Sequence, residues 1–179
     1  VIGPSRSSQA DLHNPGDRLP SWMWLSALPA AGLVVAATAV PPGVLWSSEF
    51  GGFDVLSYHL QLPQEWIAQG RVWPGEHNVY SYLPSYVEAA YAHVAVLRFA
   101  PTDDAFVGDL GWRMTSAQAL HAGLWGCAAW LSARAAVSFL GRIGVSGRDA
   151  EHAGAVGGAF IAAPPWPVVV GSMAYSEMA

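Results

Sequence analysis

Three apolar runs, residues 21–46, 114–140 and 153–173, set the limits on what this chain can fold into. A stretch of about 20 apolar residues has the length of a helix that crosses a bilayer, and in hydrocarbon a helix satisfies its own backbone polar groups. Composition points the same way. Of the 179 residues, 53% are hydrophobic and only 12% charged, against about 25% charged in soluble domains. The expected fold class is all-α: polytopic transmembrane helices with a long outer loop containing short interfacial amphipathic helices. With no Lys and a net charge of −5, the chain lacks the basic surface that nucleic acid requires. A single cysteine, Cys127, excludes an intramolecular disulfide and a cysteine metal cluster.

Residues 1–20 combine Ser, Pro, Gly, Asp and Arg without apolar periodicity, the composition of a disordered leader. The first run, 21–46, carries Trp22, Trp24 and Trp46 near its ends and is read as transmembrane helix 1 with an interfacial aromatic belt. Pro29 and Pro41-Pro42 are positions for a kink. A secretory signal peptide is the competing reading, with Ala37-Thr38-Ala39 as cleavage site; the further apolar runs and the long leader argue against it. Residues 47–113 hold acids from Glu49 to Asp109 beside Arg71, Arg98 and Arg113 and form the outer loop. Within it, 63–69 reads as a short helix ending at Gly70. A second helix is expected over 84–99, where Val87, Tyr91, Val94 and Leu97 keep helical spacing. Both suit the membrane surface, and the pattern does not decide whether 84–99 lies on the membrane or crosses it.

Transmembrane helix 2 is expected over 114–140, a cytoplasmic loop over 141–152, transmembrane helix 3 over 153–173, and the start of a second outer segment over 174–179. Arg134, Arg142 and Arg148 gather around the loop 141–152, which the positive-inside rule assigns to the cytoplasm with the leader. Asp54 and Glu177 then face the outer side. The third run is interrupted at Pro164-Pro165-Trp166-Pro167. A start at Val1 without Met and an end inside an apolar stretch lead us to expect an N-terminal part of a longer protein, inactive as a fragment.

Chemistry is expected just after the first run. Asp54 can act as a general base or hold a divalent ion, the cofactor this reading admits; its structural alternative is a helix cap. His59 can contact a lipid phosphate, or serve as a hydrogen-bonded structural residue beside Tyr58. Arg71 suits a phosphate clamp or a snorkelling interfacial position. Tyr58 and Tyr82, with Tyr80, Tyr86 and Tyr91, can line a sugar or lipid groove or form an aromatic belt. Glu177, an acid at the outer end of an apolar run, is a functional candidate or an exposed end-of-helix acid.

The segment Phe53-Asp54 through Tyr58-His59-Leu60, Leu62-Pro63, Trp66 and Gly70-Arg71, with Asn78-Val79-Tyr80-Ser81 and Leu83-Pro84 through Glu88, resembles the first outer loop of bacterial GT-C superfamily glycosyltransferases. The similarity is to glycosyltransferase family 39, the group of protein O-mannosyltransferases and aminoarabinose transferases. Pro165-Trp166, Gly171-Ser172, Ala174-Tyr175 and Glu177 resemble a later segment of the same family. The resemblance implies a multi-pass enzyme of the bacterial inner membrane. Its partners would be a polyprenyl-phosphate-linked sugar, an outer-face acceptor and membrane lipids. Asp54 would be the loop acid that assists catalysis, with Glu177 completing an acidic pocket. Many relatives carry an acid pair in the loop, whereas Phe53 precedes Asp54 here, and Glu177 stands where relatives often have Asp. The competing classes are a transporter or flippase-like carrier built on the same acids and the Pro-broken helix, and a non-catalytic membrane scaffold.

Overall fold

The structure, a computed structural model, describes residues 25–46, 53–97, 109–145 and 147–175. The leader 1–20 and Glu177 lie outside the described residues. Within them the fold is all-helical, with no strand.

Helix α1 (Leu28–Thr38) begins with Pro29 in its first turn, where the missing N–H costs no hydrogen bond. It ends after Thr38, and residues up to Trp46 form turns, because Pro41 and Pro42 lack the donors that a continuing helix needs. The run 21–46 therefore does not form one helix to its end. At 11 residues α1 spans about 16 Å. A π-helical turn (Val55–His59) leads directly into α2 (Gln61–Gln69). Gly70 closes α2 in the left-handed region at φ 67°, and the Arg71 N–H returns to the Trp66 carbonyl at 3.1 Å, a reversal suited to glycine. A 3-10 turn (Val79–Tyr82) precedes α3 (Tyr86–Val96). With 11 residues, α3 is too short to cross a bilayer on its own.

The spine is α4 (Asp109–Arg142), 34 residues in one helix, against which α1, α3, α5 and α6 all pack. It begins and ends beyond the apolar run 114–140. Helix α5 (Gly147–Ala162) likewise starts ahead of residue 153, with Asp149 in its first turn complementing the helix dipole. The interval 141–152 expected as a loop is therefore mostly helical, its turn confined to a few residues after Arg142. After Ala163-Pro164, α6 (Pro165–Ser172) leaves at a new angle, as the Pro cluster requires. No single described helix is both long and apolar enough to cross a membrane; α5 and α6 meet that measure only together, across a 65° bend.

Close approach of α5 to α4 depends on Gly154, where a Cβ would lie 2.5 Å from Val137 Cγ2 and 2.8 Å from the Ala133 carbonyl oxygen. Gly171 of α6 does the same under the Trp125 ring. Two apolar clusters result. Val34, Trp125, Ala129, Ala162 and Val168 join α1, α4, α5 and α6. Val55, Leu60, Tyr91, Ala117, Val169, Met173 and Ala174 join the π turn and α3 to α4 and the end of α6. At the junction Gln118 Nε2 lies 3.1–3.3 Å from the carbonyls of Ala37, Thr38, Val40 and Ser172, carbonyls near the C-terminal ends of α1 and α6.

Candidate functional site

Local hydrogen bonding bends the segment after Asp54 into place. The Leu60 N–H reaches back five residues to the Val55 carbonyl at 2.8 Å, the wide turn that often marks functional positions in helical proteins. It buries Val55 and His59 while Asp54 and Leu56 stay exposed. A second loop is tied onto this turn by Asn78. Its Nδ2 donates to the Ser57 carbonyl at 3.0 Å, and its Oδ1 accepts from the Tyr80 N–H at 3.1 Å. Ser81 Oγ, 2.6 Å from the Asn78 carbonyl, also accepts from the Gly75 N–H at 3.0 Å. The Tyr80 ring is thereby stacked on Tyr58, centroids 4.4 Å apart and planes 19° from parallel.

His59 is the centre of the arrangement. Its Nδ1 lies 2.5 Å from Glu88 Oε1 on α3, with both side chains almost completely buried. An ionised carboxylate only accepts, so Nδ1–H donates and the bond is charge-assisted. The edge of Tyr175 meets the imidazole at a centroid distance of 5.7 Å, and the Tyr175 carbonyl accepts from Tyr91 Oη at 2.6 Å. His59 Nε2 is buried without a hydrogen-bond partner among the described residues. A second imidazole, His121 of α4, is fully buried within electrostatic reach of His59 and against the Val170 and Gly171 backbone; neither of its nitrogens completes a hydrogen bond among the described residues. Beside His59 and Glu88 opens a cleft of ≈ 170 Å³, lined also by Tyr58, Tyr80, Ser85 and Tyr86. It offers flat aromatic faces beside a carboxylate, which suits a small polyhydroxylated ring.

The residues anticipated from sequence are distributed unevenly around this cleft. Asp54 is exposed at the start of the π turn, and its side chain makes no cap hydrogen bond, so it does not play the capping role. His59 and Tyr58 line the cleft, whereas Tyr82 is 64% exposed and does not. Arg71 is exposed too, its guanidinium 5.8 Å from the Trp73 ring centre. It lines a different groove, of ≈ 540 Å³, between α2 and α3. Arg71 and His59 thus line different grooves, with Gly70 reversing the chain after α2 just before Arg71. Glu177 lies outside the described residues. Among the described residues no group of three His, Cys, Asp or Glu side chains is placed to hold a metal ion.

Sequence reading missed Glu88 as a site residue. The signal was present: Glu88, Tyr91 and Ala95 are buried at i, i+3 and i+7, an acid on the apolar face of a helix. His121, inside an apolar run, offered the same signal. Comparison with family models, with curated proteins and with solved structures finds no match.

Proposed function

We propose that this chain is part of a membrane glycosyltransferase that moves a sugar from a polyprenyl-phosphate donor to an acceptor on the outer face of a bacterial cell membrane. One observation carries the reading. The two stretches that resemble such enzymes meet at His59, which sits on the first, pairs with Glu88 at the far end of that same stretch and meets Tyr175 of the second. Membrane placement draws support from apolar side chains left exposed along the helices, among them Val35 on α1, Trp130 and Phe139 on α4, and Phe160 on α5. Large apolar side chains left exposed on three helices suit contact with lipid or protein.

In this reading the cleft beside the tyrosines receives the sugar ring. Asp54, exposed and without a cap hydrogen bond among the described residues, takes the proton of the acceptor hydroxyl as its oxygen attacks the anomeric carbon. The bond from that carbon to the phosphate oxygen breaks, and the lipid phosphate leaves with the electron pair, inverting the centre. Glu88 fixes the His59 ring. The test is Asp54→Asn in the full-length protein, assayed for sugar transfer in membranes supplied with the lipid-linked donor. Loss of transfer at unchanged membrane abundance supports the assignment, and retained transfer overturns it.

A carrier is the second reading, favoured by the 65° break between α5 and α6 and by the buried imidazole of His121 against the α6 backbone. Gradient-driven uptake into vesicles free of lipid-linked sugar separates the two.

A further inference from the structure

The groove between α2 and α3 is separate from the sugar cleft; no residue lines both. Its floor is apolar, formed by Trp66, Ile67 and Val72 on one side and Ala89, Ala92 and Val96 on the other. Among the described residues that line it, Arg71 and His93 carry the strong polar groups and none is an acid. The small alanines keep the groove open, and Trp73 beneath the Arg71 guanidinium holds that charge near the groove. An apolar trough topped by a guanidinium and an imidazole is complementary to an amphiphilic anion: an alkyl chain along the trough, a phosphate at the two nitrogen donors.

We infer that this groove binds an anionic phospholipid of the surrounding bilayer, with one acyl chain against Trp66, Ala92 and Val96 and the headgroup phosphate at Arg71 and His93. Such a lipid fastens the α2–α3 hairpin, and with it the Glu88 side of the sugar cleft, to the membrane surface. The inference rests on the membrane placement proposed above and not on the transfer reaction. A bilayer phospholipid fits better than free phosphate because most of the lining is apolar and only the rim is cationic.

The test uses the full-length protein in vesicles carrying phosphatidylglycerol or phosphatidylcholine with a photoactivatable diazirine on the acyl chain, with labelled peptides mapped by mass spectrometry. Expected is labelling of residues 66–72 and 89–96 by the phosphatidylglycerol probe, about tenfold above the zwitterionic probe and lost by about the same factor in Arg71→Gln/His93→Gln, the size of one charge-assisted contact. Ala92→Phe, which fills the trough and leaves Arg71 and His93 in place, removes the labelling as well. Equal labelling by the two probes, or labelling that survives both variants, overturns the groove while membrane placement stands. Failure of the protein to float with either kind of vesicle overturns the membrane placement and the groove together.

Discussion

His59 and Glu88, 29 residues apart in sequence, meet with Nδ1 and Oε1 at 2.5 Å in the buried angle between the π turn and α3. The contact adds a polar tie to the apolar packing of Val55 and Leu60 against Tyr91 that joins the same two elements. Its removal is therefore both a local and a long-range event. A buried hydrogen bond broken from one side leaves a polar group without water or partner, at a cost of about 1–3 kcal/mol. Glu88→Ala is expected to lower the unfolding free energy by about that amount, and Glu88→Gln, which keeps an acceptor, by about 1–2 kcal/mol. Thermal and denaturant unfolding in micelles measures both. His59→Leu combined with Glu88→Leu should recover most of the loss; a double variant as unstable as the sum of its parts would show that the two groups do not act as a pair.

Gln118 supports a different junction. Its Nε2 faces the carbonyls of Ala37, Thr38, Val40 and Ser172, carbonyls near helix ends that need outside donors. Gln118→Leu keeps the volume and withdraws the donor, and is expected to cost about 1–3 kcal/mol, read as a lowered denaturation midpoint. Gln118→Glu removes the donor and adds charge, and should be worse than Gln118→Leu. An unchanged midpoint for both would mean that these carbonyls find other donors.

Glycine positions give predictions of opposite sign. At Gly171 a Cβ would stand 2.8 Å from the Trp125 ring, so Gly171→Ala is expected to destabilise by about 1–3 kcal/mol through overpacking. At Gly123, in the middle of α4, a Cβ meets nothing within 4 Å. Gly123→Ala is expected to stabilise by about 0.5–1 kcal/mol, because alanine loses less backbone entropy in a helix. Calorimetry on the two single variants checks the contrast, and equal shifts would contradict it.

Cys127 probes the membrane placement without new mutations. It is exposed on α4, near the middle of the run 114–140. In intact vesicles a charged maleimide is expected to leave it unmodified, because hydrocarbon excludes a charged reagent. Denaturation in SDS should then expose it to full reaction. Full labelling in intact vesicles would put this face of α4 in water.

The sequence by itself determined the helical class, the helix over 63–69 with its end at Gly70, and the helix within 84–99. It also determined the break at Pro164-Pro165. Each of these rests on local chemistry: spacing along one helix face, a missing N–H, or a backbone that only glycine adopts without strain. It also marked Tyr58 and His59 as neighbours worth watching. The tertiary structure decided the rest. It decided that Glu88 is the partner of His59, that Tyr175 closes over the same ring, and that Arg71 and His93 share a groove away from them. It also turned the flanks of the apolar runs into helix, extending α4 and α5 past the polar residues at which the hydropathy pattern stops. These features depend on how α3 and α6 dock on α4. That docking is set by the space left at glycines such as Gly154 and Gly171 and by Trp125. Packing of this kind joins residues distant in sequence, so no periodicity within a single segment encodes it.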